Sequence, residues 1–127
     1  MNNRLNLEQQ RAQDAWKCVE EAQKEPKISY DKYVNSAKGM PVLIMNSGLM
    51  QMLAFAEDKQ KEQGLIAKQL RKWLKSRFPK IVSEDFGKFM EYLMKDSEPQ
   101  EYQAITAEAF AWLRWIRQLA AAKSGEK

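Results

Sequence analysis

Apolar residues in this chain recur every three or four positions almost from end to end, and no window sustains the period-two alternation of a half-buried strand. That periodicity restricts the fold class to all-α. Leu7 to Lys24 sets Ala12, Ala15, Trp16, Val19 and Ala22 on one helical face; Asn6 with Gln9 forms a capping-box pattern before it, and Pro26 stops it. Ser29 caps a short second helix with Tyr30, Tyr33, Val34 and Ala37, which Lys38 and Gly39 end. Pro41 suits the first turn of a third helix running to about Lys59, apolar nearly all round, with Gly48 inside it permitting close helix contact or a local break, contact being the favoured reading. A fourth helix spans Leu65 to Phe78 with Leu65, Ile66, Gln69, Leu70, Trp73 and Leu74 inward, and Pro79 follows it. Ser83 caps a fifth, Glu84 to Lys95, striped by Phe86, Phe89, Met90, Leu93 and Met94. Pro99 opens the sixth and longest, whose core face is Tyr102, Ile105, Thr106, Ala109, Leu113, Ile116 and Ala120; the tail from Lys123 to Lys127 frays. The expectation is a single domain, a bundle of about six helices over residues 1–127.

A length of 127 residues fits one hydrophobic core and leaves little for a second. The most apolar stretch, Met40 to Ala56, is interrupted by Asn46, Ser47 and Gln51 and falls short of the roughly 20 apolar residues of a membrane span. The start, Met1, Asn2, Asn3 and Arg4, leads into no apolar signal region, which gives a cytoplasmic expectation with no membrane partner. Cys18 is the only cysteine, so no intramolecular disulfide can form. Histidine is absent, which removes Ser-His-Asp and Cys-His nucleophiles, histidine-paired RNA cleavage and nearly all zinc sites. The adjacent pairs Glu20 with Glu21 and Glu84 with Asp85 point to different sides of a helix, and no glycine-rich phosphate loop is present. No catalytic residue, no metal and no cofactor is expected.

Charge is distributed unevenly. From Lys59 to Lys80 eight basic residues face the single carboxylate Glu62, a local excess of +7 against +4 for the whole chain. Lys68, Arg71, Lys72 and Lys75 stand at i, i+3, i+4 and i+7, the spacing of one ridge on a helix. Such a ridge can follow a phosphate backbone and release counterions; the plain alternative is a solvated face. On the last helix Trp112 and Trp115 lie beside Arg114 and Arg117, a combination used to stack single-stranded bases, although core packing or subunit contact is the favoured reading of these rings. Phe110, Trp112, Trp115 and Leu119 make a second apolar strip there, which implies deep burial or, for part of it, a protein partner.

The segment MPVLIMNSGLMQMLAF, Met40 to Phe55, resembles the Pro-x-x-Ile…Gly-Leu-x-x-x-Leu-Ala-Phe signature of the small subunit of the type III-B CRISPR (Cmr) effector complex, at Pro41, Ile44, Gly48, Leu49, Leu53, Ala54 and Phe55. Tyr102, Thr106, Glu108, Ala109, Leu113, Trp115, Ile116 and Arg117 resemble that family's C-terminal helix, and Arg11, Ala12 and the Tyr33 region extend the likeness. Ser47 stands where the family often has asparagine, and Gln118 where a basic residue is common. The resemblance implies a non-catalytic helical subunit that stacks in a few copies beside the subunits holding guide RNA, in antiviral defence. It also implies a surface lining the path of target RNA. Lys68, Arg71, Lys72 and Lys75 are then the candidate RNA-binding residues, with Arg114 and Arg117 beside them.

Two other classes compete. A DNA-binding protein would lay the helix after Gly64 in a major groove and read bases through Lys68, Gln69 and Lys72, but its ridge holds one arginine and no asparagine. A protein-protein adaptor would dock a partner on the Trp112 strip and keep the ridge for solubility.

Overall fold

The computed structural model describes residues 5–125, so the expectations resting on Met1 to Arg4 and on Glu126 and Lys127 lie outside the described residues. Six α-helices follow one another: α1 (Leu7–Lys24), α2 (Tyr30–Ser47), α3 (Leu49–Lys59), α4 (Lys61–Arg77), α5 (Phe86–Glu91) and α6 (Pro99–Ala122). A π-helical turn, Tyr92–Asp96, extends α5, and a 3₁₀ turn, Lys123–Gly125, follows α6. The fold class is all-α, as the periodicity requires.

The caps of α1 and α6 are those the sequence dictates. Asn6 Oδ1 accepts from the Gln9 N–H at 2.8 Å while Gln9 Oε1 accepts from the Asn6 N–H at 2.9 Å, a closed capping box. Pro99 occupies the first turn of α6, where its missing N–H costs nothing. At α5 the cap moves two residues on from Ser83: the Asp85 carboxylate accepts from the Lys88 N–H, and Ser83 Oγ accepts from the Asp85 N–H.

The middle of the chain departs from expectation. No break occurs at Lys38 and Gly39, and Pro41 opens nothing; α2 runs straight through both. The break falls at Gly48, where φ is +87° and ψ 166°. Its N–H donates to Ile44 O and closes α2, and its carbonyl accepts from Met52 N–H and opens α3. Gly48 is therefore a hinge point, not a contact: a Cβ there would meet nothing within 4 Å. A second one-residue break follows at Gln60, φ 59° and ψ −155°, with Lys61 also at positive φ, so α4 begins four residues before the expected Leu65. α2, α3 and α4 thus form one helical path folded at two points.

α6 is the central element. α1 and α2 pack along it, α4 packs against both α2 and α6, and α3 and α5 each contact α4. The core unites Ala15, Val19, Tyr33, Met40, Leu53, Ile66, Leu70, Leu74, Phe89, Leu113 and Ile116. Of the second apolar strip, read as deeply buried or facing a partner, Trp112 is fully buried because α1 covers it, and its Nε1 donates to Asp14 Oδ2 at 2.8 Å. Met94, assigned to the core stripe of the fifth helix, is 61% exposed, since the π-turn rotates it outward. The tail also differs: Lys123 is buried, its Nζ lies 4.1 Å from the centroid of Trp16, and its carbonyl accepts from Gln23 Nε2. No described helix is long and apolar enough to cross a membrane.

Candidate nucleic-acid interface

α4 buries an unusually wide face. Gln69 and Trp73 turn toward α1 and α6, where the Gln69 amide accepts from Tyr33 OH at 2.8 Å and donates to Cys18 O at 3.1 Å, and Trp73 Nε1 donates to Glu108 Oε2 at 2.9 Å. Ala67, Leu70 and Leu74 are also fully buried. What remains exposed is a narrow stripe that contains Lys68, Lys72 and Lys75.

Arg71 does not belong to that stripe. Only 6% exposed, it donates from Nε to Glu84 O at 2.8 Å, sets its guanidinium 5.6 Å from the Phe86 ring centroid, and brings Nη1 to 3.8 Å from Glu57 Oε1. Nη1 has no hydrogen-bond partner among the described residues. Burial lowers the Arg71 pKa, with Glu57 opposing. The predicted ridge loses its arginine because position 71 is the i+4 member of the buried set Ala67, Leu70 and Leu74. In exchange the early start of α4 adds Lys61, seven residues before Lys68 and exposed. The sequence signal for Lys61 was its i−7 spacing from Lys68, hidden by placing the helix start at Leu65.

The corrected row is Lys61, Lys68, Lys72 and Lys75. Lys75 approaches Glu84 at 4.0 Å, a weak surface pair, and no ion pair within 4.0 Å is present for the other three among the described residues. Lys61 and Lys68 line an open groove of about 650 Å³ with Lys27 and Arg71, and four carboxylates, Glu25, Glu57, Glu84 and Asp85, line it as well.

The α6 candidates lie elsewhere. Arg114 and Arg117 are both exposed; Arg114 sits 5.9 Å from the Phe110 ring centroid and lines a second groove of about 330 Å³ with Glu8, Arg11, Ala111, Trp115 and Gln118. Lys61 and Lys68 therefore line one groove and Arg114 another.

Among the described residues no group of three or more potential metal-binding side chains is gathered. The Cys18 thiol is buried, and burial pushes its pKa well up, so it stays protonated and unreactive.

Residues 7–123 match the family model described as CRISPR-associated protein (Cas_Cmr5). The fold is similar to the crystal structure of a CRISPR-associated Cmr5 family protein from Thermus thermophilus, with a TM-score of 0.76 and 26% identity over 93% of this chain and 97% of that one. The sequence signature, the six-helix architecture and a family match over nearly the whole chain agree: the chain belongs to the Cmr5 family of type III-B CRISPR effector small subunits and associates with the other subunits of that complex.

Proposed function

We propose that this chain acts as a non-catalytic small subunit that stacks in copies of itself along the effector and holds target RNA by its backbone through Lys61, Lys68, Lys72 and Lys75. The observation carrying this reading is the composition of the exposed stripe of α4: with eight positions of the helix buried, the positions left to solvent hold lysines largely free of acidic partners. Lysines present mobile point charges with no planar base-reading fork, so the contact is sequence-independent, and guide pairing supplies the sequence. Arg71 supports this surface from beneath by fixing the α5 approach, and Arg114 and Arg117 contribute a second RNA-facing region.

The test is fluorescence anisotropy of labelled target RNA titrated with the guide-loaded assembly, with and without this subunit, at two salt concentrations. We expect the subunit to tighten binding in a salt-dependent manner, and each Lys→Ala change in the row to lower the salt slope by about 0.7. An unchanged slope in all four variants overturns the lysine assignment. Equal competition by duplex DNA of one sequence would favour the DNA-binding reading.

The adaptor reading draws on one further observation. Val42, Met45 and Phe55 are 49%, 71% and 42% exposed, and Val42 and Phe55 line an uncharged groove of about 490 Å³ with Asn35, Asn46 and Gln63. Depletion of charge is a mark of a protein-binding centre. This face suits a neighbouring subunit and is compatible with the RNA role of α4.

A further inference from the structure

The groove between α1 and α6 differs in chemistry from both the lysine row and the apolar α2–α3 face. Its wall holds one half-buried aromatic side chain, Trp115, surrounded by Glu8, Arg11, Arg114 and Gln118, with the small Ala111 leaving room in the floor. Arg11 is locked in place: Nε and Nη2 both donate to Glu108 at 2.7 Å. A guanidinium has five N–H groups, so this bidentate grip leaves donors over on a side chain that cannot swing away. That hydrogen bond to Glu108, chiefly, raises the Arg11 pKa. Gln118 offers both a donor and acceptors, and Glu8 offers acceptors only.

We propose that this groove binds one unpaired nucleobase of an RNA strand, stacked against Trp115, with its edge met by Arg11 and Gln118 and the flanking phosphate met by Arg114. The proposal rests on the RNA-contacting reading above and extends it from backbone charge to a base site. The volume, about 330 Å³, is at the lower end of small-ligand sites, which run from about 300 to 1,000 Å³, and suits a single nucleotide better than a protein element. A docking pocket for a protein anchor is expected to be apolar and poor in charge. Four of these six lining residues are charged or amide side chains, and the one large ring is of the type on which bases stack regardless of sequence.

The electrostatics supply the discriminating readout. Arg11 is neutralised by Glu108, and Glu8 shares the groove with Arg114, so the groove carries little net charge. Stacking on the uncharged Trp115 ring therefore contributes affinity without contributing to the salt slope, the opposite of the α4 lysines, and any slope from this groove comes from Arg114, which the Trp115 variants retain.

The experiment uses single-stranded RNA carrying one 2-aminopurine, titrated with the effector assembly reconstituted with wild-type, Trp115→Leu, Trp115→Phe or Lys68→Ala/Lys72→Ala subunit. We expect Trp115→Leu to weaken binding roughly 5- to 150-fold with an unchanged salt slope and to abolish the 2-aminopurine fluorescence change. Trp115→Phe retains a ring and recovers most of both. The lysine variant loses slope and keeps the fluorescence change. Equal affinity and equal fluorescence for wild type and Trp115→Leu overturn the base site while leaving the lysine row standing. Failure of Trp115→Leu, but not Trp115→Phe, to enter the assembly assigns the groove to a protein neighbour and overturns the proposal. Absence of RNA binding by the α4 row in wild type brings down the underlying reading, and the base site with it.

Discussion

Two carboxylates, Glu108 and Asp14, hold α1 over the rest of the molecule. Glu108 accepts three hydrogen bonds, two from Arg11 and one from Trp73, tying α1, α4 and α6 at one side chain. Removing it strands a guanidinium and a buried indole N–H, so Glu108→Ala is expected to destabilise the chain by roughly 3 kcal/mol in urea unfolding. Asp14 accepts from Trp112 Nε1 and weakly from Cys18, yet burial outweighs both bonds and raises its pKa above 3.8. A raised folded-state pKa means the protonated form fits the fold better. Its contribution is present below the unfolded value near 3.8 and is lost as pH rises through the folded one. Asn at this position keeps an acceptor for Trp112 and cannot ionise. Asp14→Asn should therefore gain stability over wild type as pH is raised from about 3 to 7, measured by thermal melts, and identical pH profiles would contradict this. At this scale the sequence was legible where a residue's neighbours on the helical wheel were apolar, and misleading where a charge stood among them. Arg71 shares the i, i+3, i+4, i+7 stripe with Ala67, Leu70 and Leu74, and that stripe, not its charge, placed it inside.

The elements between residues 30 and 77 show which local signals bind the chain and which yield to packing. Proline at a helix interior costs about 3 kcal/mol for the lost hydrogen bond and the ring clash. Pro41 is nevertheless inside α2, where its ring is buried in the run Tyr33, Val34, Ala37, Met40 and Ile44 that packs on α6. Burial of that continuous face overrides the local penalty, which is why ending one helix at Gly39 and opening the next at Pro41 placed the break nine residues too early. Gly48 is different, because φ +87° is a conformation that side chains resist and no packing can offset cheaply. The two glycines of α2 and its cap thus make a matched pair. At both Gly39 and Gly48 the space a Cβ would take is open to 4 Å, so sterics cannot separate them. Gly39→Ala, in regular helix, is expected to stabilise the chain by about 0.4–1 kcal/mol, and Gly48→Ala to destabilise it by about 1–3 kcal/mol, in denaturant titrations. Effects of the same sign would show that the break at residue 48 is not set by backbone conformation.

Across the whole molecule, charge is separated more strongly than the net value suggests: residues 59–80 carry +7 and the remainder −3. The fold keeps this polarity on the surface by packing α4 against α2, α3, α5 and α6 and leaving its lysine stripe uncovered. Lys68 with Lys72 and Lys72 with Lys75 are like charges at i+4 and i+3, each slightly unfavourable to the free helix. Replacing Lys61, Lys68, Lys72 and Lys75 together by Gln should accordingly leave the melting temperature of the isolated chain unchanged or slightly higher. In the assembled effector the same variant should remove about 0.7 of salt slope per lysine, about 2.8 for each copy engaged on a single RNA strand. In the proposed stack several copies would act on one strand, their contributions to the slope would add, and dividing the lost slope by about 2.8 would count the engaged subunits. A whole-number multiple means every row tracks the RNA. A loss smaller than one copy's share, with full incorporation of the variant, means the lysines face solvent or a protein neighbour in the assembly and the polarity of the molecule serves assembly and not RNA.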